Sequence, residues 1–242
     1  MFFTHVVRDP LPVLERVDGT PIGRMYRTPE GNLYPSATTV FGHFKRAQIA
    51  AWRNHVGHVE ADRIRDEAAA RGTKLHALCE HYLTNQPLHK SGEKDLTVLD
   101  MFNQFRPILD RHVGLVHGVE QMLYSDELGI AGTTDLVAEW EGRLSVIDFK
   151  SARRPKKENQ IGNYFEQTTA YACMWEERTG RPVGQLVILV APINSSPQII
   201  VKRRNDYLHQ MISKVQAFQR QHQLAVPSAK RIADRMALAG AR

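Results

Sequence analysis

The stretch Leu144-Ser-Val-Ile-Asp-Phe-Lys150 sets an aspartate and a lysine two residues apart at the end of an apolar run. In a strand, alternate residues share a face, so Leu144, Val146, Asp148 and Lys150 point the same way. Charges at the end of a core-facing row are costly unless they meet partners or a metal. An isolated Asp-x-Lys is more often a salt-bridged strand end, but here its neighbourhood adds to it. Gly132-Thr-Thr-Asp135 opens the preceding strand, and Glu141-Gly142 makes a tight turn between the two. Pairing about that turn brings Asp135 within reach of Asp148 and Lys150. Two converging carboxylates suit a hard divalent cation that prefers oxygen ligands, Mg²⁺ or Mn²⁺, with Lys150 as a point charge beside it.

Other residues add chemistry at helical spacing. His76 and Glu80 lie four apart on one helix face, with Cys79 adjacent, and Gln167 and Tyr171 repeat that spacing further on. A lone helical histidine is more often structural than functional, and a Gln/Tyr pair alone need have no task. Glu120 is a further acidic candidate without a fixed place.

The elements that must position these residues fall into two halves. Residues 1–35, rich in Pro, Gly and turn pairs such as Asp18-Gly19 and Glu30-Gly31, read as short strands or a hairpin. Helical patterns cover about 40–56 and 59–84, the second interrupted at Gly72-Thr73, where Thr73 would cap the helix carrying His76. A polar loop at 85–95 leads to a helix over 96–113. Strands then follow at 118–124, 132–140 and 144–150. A helix over 162–178 is stopped by Thr179-Gly180-Arg181-Pro182. Strands at 185–190 and 198–202 and a final helix from 205 to about 223 complete the order. The expected fold is α/β (α+β), a central mixed sheet flanked by helices. Residues 1–115 form an N-terminal strand and helical region carrying His76, 116–225 the core and 226–242 a loosely held tail, in one integrated domain.

The composition sets bounds. The chain has 242 residues, 42% of them apolar and 24% charged, as in an ordinary globular protein. No apolar run approaches the roughly 20 residues that span a bilayer, so no membrane association is expected. The start of the chain reads as neither a signal peptide nor a transit peptide, and a cytoplasmic location, in a bacterial or phage-infected cell, is expected. Cys79 and Cys173, expected reduced and buried, are too few for a disulfide framework, an all-cysteine zinc site or an iron–sulfur cluster. The net charge of +6 permits a polyanionic partner without demanding one. Five positive charges fall between Lys150 and Lys157, including Arg153, Arg154 and Lys156. A solvated basic loop explains them equally well.

Taken in order, Gly72-Thr-x-x-His76, Gly132-Thr-x-Asp135, Asp148-x-Lys150 and Gln167-x-x-x-Tyr171 resemble the RecB-like branch of the PD-(D/E)XK nuclease superfamily. Within it, the chain resembles the mitochondrial genome maintenance exonucleases and related phage exonucleases. Tyr34-Pro-Ser-Ala-Thr-Thr-Val40 also looks like the Ser/Thr-rich element ahead of the helical region in that group, so the resemblance spans roughly 34–190. It implies a restriction-endonuclease-like core. It also implies that Asp135 and Asp148 are carboxylate ligands, His76 an added ligand and the Phe149 carbonyl the last protein donor. Lys150 would orient the attacking water and stabilise charge on the phosphate. Gln167 and Tyr171, with Ser36 and Thr38, would support the site or touch DNA. The proline of the superfamily's name is Thr134 here, and the cysteine quartet that some relatives use for an iron–sulfur cluster is absent.

The implied activity is metal-dependent hydrolysis of DNA, exonucleolytic by preference, on single strands or free ends in recombination, repair or replication. Arg153, Arg154 and Lys156 could track phosphates. Trp52, Arg53, Arg63 and Arg65 could grip a strand, although an ordinary amphipathic helix accounts for them as well. No GxxxxGK[ST] phosphate loop is present, so unwinding would fall to a separate helicase or recombinase. A structure-selective endonuclease on the same core and a non-catalytic nucleic-acid-binding module are the rival readings.

Overall fold

The computed structural model describes residues 2–225; the expected tail at 226–242 lies outside the described residues. Its centre is a five-stranded sheet of β4 (Val113–Ser125), β5 (Ile130–Trp140), β6 (Arg143–Ala152), β7 (Gln185–Pro192) and β8 (Gln198–Arg203), in that spatial order. The β6–β7 pair is parallel and every other pair antiparallel. The one parallel step needs a long crossover, which α5 (Gly162–Thr179) supplies. Gly180 ends that helix in the left-handed region, φ 70°, where the stop signal predicts an end.

Both faces of the sheet are covered. On one, α1 (Ala37–His43), α5 and α6 (Asn205–Gln221) pack over Val137, Val146, Leu186 and Ile188. On the other, α3 (His58–Leu83) and α4 (Leu96–His112) pack over Leu136, Ile147, Phe149 and Val187. Double coverage is why β7 reads as an almost unbroken apolar run instead of an alternating one. The row Leu144, Val146, Asp148, Lys150 does face a core, and the opposite row is buried too.

A smaller antiparallel sheet joins β1 (Glu15–Thr20), β2 (Gly23–Arg27) and β3 (Leu33–Pro35). Its first turn falls at Pro21-Ile22 and not at Asp18-Gly19, which lies inside β1. It is tied to the main sheet by a bridge between Ser36 and Ala131.

Three local expectations change. The pattern over 40–56 divides into α1 and α2 (Arg46–Val56), with the break at Phe44-Lys45. Helix α3 runs unbroken through Gly72-Thr73, so Thr73 caps nothing. Leu75, Leu78, Cys79, Tyr82 and Leu83 bury themselves along it, and their packing outweighs the roughly 1 kcal/mol that a helical glycine costs. Cys79 is buried as expected, whereas Cys173 is only partly so. No helix among the described residues is long and apolar enough to cross a membrane.

Candidate active site

The β5–β6 ladder runs from Trp140–Arg143 to Leu136–Ile147 and stops there. At the next position the Asp135 side chain takes the place of a strand partner, its Oδ2 accepting the Phe149 N–H at 2.7 Å. A buried N–H is thereby satisfied at the point where the sheet opens. The charged residues collect around this point.

Strand β4 brings Glu120. Gly118 pairs with Val137, Val119 with Leu136 and Gln121 with Thr134, so Glu120 stands opposite Asp135. Its backbone is held at φ +44°, an unusual conformation for a residue other than glycine and one that clusters at functional sites. Helix α3 brings His76. Its Nε2 lies 2.8 Å from the Phe149 carbonyl, which can only accept, so Nε2 carries the hydrogen. That bond turns Nδ1 toward Asp135 Oδ1 at 3.4 Å and Glu120 Oε1 at 3.8 Å.

His76, Glu120 and Asp135 each offer one donor atom, all within 4.8 Å of one another. Neighbouring ligands around Mg²⁺ stand ~3 Å apart, from metal–oxygen distances of about 2.1 Å. The three donors therefore need only a small inward adjustment to share a cation. Two carboxylates and an imidazole form a donor set suited to Mg²⁺ or Mn²⁺. The Phe149 carbonyl, a ligand by resemblance, accepts from the His76 ring and so orients it, and a carbonyl oxygen has a second lone pair besides.

Asp148 stands beside this trio and pairs with Lys150, Nζ to Oδ2 at 2.5 Å. Burial, together with the Asp135 charge, holds the Asp148 carboxyl above the ordinary range against the pull of Lys150. Burial would raise Asp135 too, but His76, Lys150 and the Phe149 N–H hold it below its usual value. Lys150 is kept charged because Asp148 and Asp135 outweigh its burial. For His76, the neighbouring carboxylates overcome the effect of burial and push the imidazole up to about 11. Without a cation the proton on His76 Nδ1 answers the carboxylates, and a cation binding there would take that proton's place, since only the neutral imidazole can be a ligand.

Support comes from α5 and α1. The Gln167 side chain donates to Tyr171 Oη at 2.9 Å and to Thr38 Oγ1 at 3.2 Å. The buried Tyr171 ring fits against Gly132, where a Cβ would lie 2.9 Å from it. Glycine in Gly132-Thr-Thr-Asp135 thus lets the ring approach β5. Ser36 is buried and caps α1, accepting the Thr39 N–H at 3.0 Å, so it acts on the helix and is turned away from solvent.

Arg153 and Arg154 are exposed past the end of β6. Lys156 follows in a loop clasped by Gln198, which bonds both its N–H and its carbonyl. The helical arginines are otherwise engaged. Arg53 pairs with Asp62, Arg63 with Glu60 and Glu67, and Arg65 with Asp62 and Asp66. Trp52 is on a helix with no buried residue. Residue patterns also passed over Tyr164, whose ring centroid lies 5.2 Å from Lys150 Nζ.

The chain is 30% identical over 86 residues to human mitochondrial genome maintenance exonuclease 1, covering 36% of this chain and 25% of that protein. The chain therefore spans about a quarter of that relative's length. Among solved structures, a putative exonuclease from Eubacterium rectale is similar at 10% identity and a TM-score of 0.42, over 62% of this chain and 66% of that one. An alkaline exonuclease from Laribacter hongkongensis is similar at 15% identity and a TM-score of 0.35, over 71% of this chain and 99% of that one. A model of the PD-(D/E)XK nuclease superfamily matches residues 51–239, a range that takes in His76, Glu120, Asp135, Asp148 and Lys150. With most of its length matched and an acidic, lysine-bearing cluster where its sheet opens, the chain belongs to the PD-(D/E)XK nuclease superfamily.

Proposed function

We propose that the protein is a Mg²⁺- or Mn²⁺-dependent deoxyribonuclease, an exonuclease that hydrolyses phosphodiesters in single strands or at DNA ends during recombination, repair or replication. The observation that carries this reading is the meeting of His76, Glu120 and Asp135 beside the Asp148–Lys150 pair. His76, Glu120 and Asp135 would hold the cation, with Asp148 at the same opening of the sheet. When bound, a divalent cation neutralises phosphate charge and lowers the pKa of water. The chain's own residues do the rest. Asp148 fixes the Lys150 ammonium in one place, and Lys150 holds positive charge where the phosphate gains negative charge. Asp135 joins β5 to β6 through the Phe149 N–H, so ligand and lysine are set relative to one another before substrate arrives.

The exonuclease preference draws on the name of the human relative, with which a short stretch is shared. Free ends would be presented by a separate helicase or recombinase, since the chain has no phosphate loop for unwinding.

The test is a time course on end-labelled linear and circular DNA, single- and double-stranded, with Mg²⁺, Mn²⁺ or EDTA. Linear DNA should be lost only with metal while circles are spared. Asp148→Ala and Lys150→Ala should each lower the rate by about 10²–10³ or more while the protein stays folded. Full activity in either variant would sink the site assignment, and cleavage of circles would replace the exonuclease with an endonuclease. A clean, folded protein that cuts nothing would leave a nucleic-acid-binding module.

A further inference from the structure

Two lysines reach the Tyr164 ring on the side where α1, α5 and α6 meet, and two more lie near one of them. Lys150 Nζ lies 5.2 Å from the Tyr164 ring centroid and Lys45 Nζ 5.6 Å from it. Lys156 and Lys214 lie near enough to Lys45 that their charges, after burial, weaken its hold on its proton. Two carboxylates answer these four ammonium groups. Asp148 takes Lys150, and Glu166 takes Lys214 with both oxygens, at 2.6 and 2.7 Å, while its charge also reaches Lys45. Among the described residues, Lys45 and Lys156 form no ion pair with a carboxylate.

That imbalance is built into the fold. Lys45 sits at the break between α1 and α2, within reach of a ring that also carries the Lys150 ammonium. The Lys156 backbone is fixed by the two Gln198 bonds, at 2.7 and 2.9 Å, so its loop is anchored to β8. Like charges held close together with fewer counter-charges than ammonium groups cost free energy, which an approaching polyanion offsets. Arg53 of α2 and Arg63 and Arg65 of α3 offer the reverse, since each is already paired with an acid.

We propose that Lys45 and Lys156 bind successive phosphates of a DNA single strand and lead it past Tyr164 to Lys150. The strand then lies along the α1, α5 and α6 side of the molecule and not across the arginines of α3. This rests on the nuclease reading above and adds the path of the substrate to it.

The experiment measures binding of an end-labelled oligothymidylate to the full chain in EDTA, through a salt titration, with cleavage in Mn²⁺ followed in parallel. Lys45→Gln and Lys156→Gln should each weaken binding and flatten the plot of log affinity against log salt by about 0.7, the share of one phosphate contact on a single strand. The loss should be the same for other base sequences, because phosphate contacts carry no sequence information. Lys45→Arg and Lys156→Arg should keep the wild-type slope, and Arg63→Gln should leave it unchanged. Thermal melts would show that each variant is folded. If the wild type binds and cuts while both glutamine variants match it in affinity and slope, the strand path is wrong and the nuclease reading survives. A wild type that neither binds nor cuts DNA overturns both.

Discussion

Glu120 is held at φ +44° in the middle of a strand, opposite Asp135, with its carboxylate 3.8 Å from His76 Nδ1. A left-handed glutamate is tolerated only where its surroundings fix it, and here the side chain completes a set of three donors. Glu120→Gln keeps the shape and the backbone strain but removes the charge. It should abolish metal-dependent cleavage while shifting stability by no more than ~1 kcal/mol, measured by denaturant unfolding beside the cleavage assay. Wild-type cleavage by that variant would remove Glu120 from the site. Residue types and chain order were enough to single out His76, Asp135, Asp148 and Lys150, because each stands in a short motif with its spacing intact. Glu120 has no such motif. Its place depends on a register shift between Val116 and Gly118 in β4, and a one-residue slip there turns every later side chain to the other face. Tyr164 was equally hidden, since it meets Lys150 only through the packing of α5 against β6.

At the scale of elements, the strands around the site were legible because doubly covered strands are long apolar runs bounded by turn residues, as in β7 and at Glu141-Gly142. Helix boundaries were harder. The α1–α2 break at Phe44-Lys45 carries neither glycine nor proline to mark it, while Gly72 marks a break that the structure does not contain. Helix α3 passes through Gly72 because the buried row Leu75, Leu78, Cys79, Tyr82 and Leu83 packs directly after it, with Ala61 buried near the helix start. This has a direct consequence. A Cβ at Gly72 would meet Ser151 Oγ at 3.6 Å, an ordinary contact, and nothing nearer. Gly72→Ala should therefore stabilise the protein by roughly 0.5–1 kcal/mol, through the smaller backbone entropy lost on forming the helix. A thermal melt would show it as a higher midpoint. A lower midpoint would mean that the chain needs glycine there, and that the helix carrying His76 begins anew at this point.

Over the whole molecule, the candidate cation site is where three separately built parts meet: His76 from the helical layer over one face, Glu120 from β4 and Asp135 from β5. A cation held there would tie the helical region to the sheet, and it would bind the folded chain but not a chain in which these residues are far apart. Binding of that kind raises stability by mass action, about 2.7 kcal/mol at a hundredfold excess over Kd. For a chain of this length that is an increase of roughly 5–10 °C in melting temperature. Mn²⁺ or Mg²⁺ should thus raise the midpoint in a concentration-dependent way, and EDTA should reverse it. Asp135→Asn is the informative variant, since an amide oxygen can still accept the Phe149 N–H while the ligand charge is gone. It should melt near the metal-free wild type and respond little to Mn²⁺. An equal rise in Asp135→Asn and in the wild type would place the stabilising cation elsewhere, whatever the cleavage assay showed, because this readout does not depend on turnover.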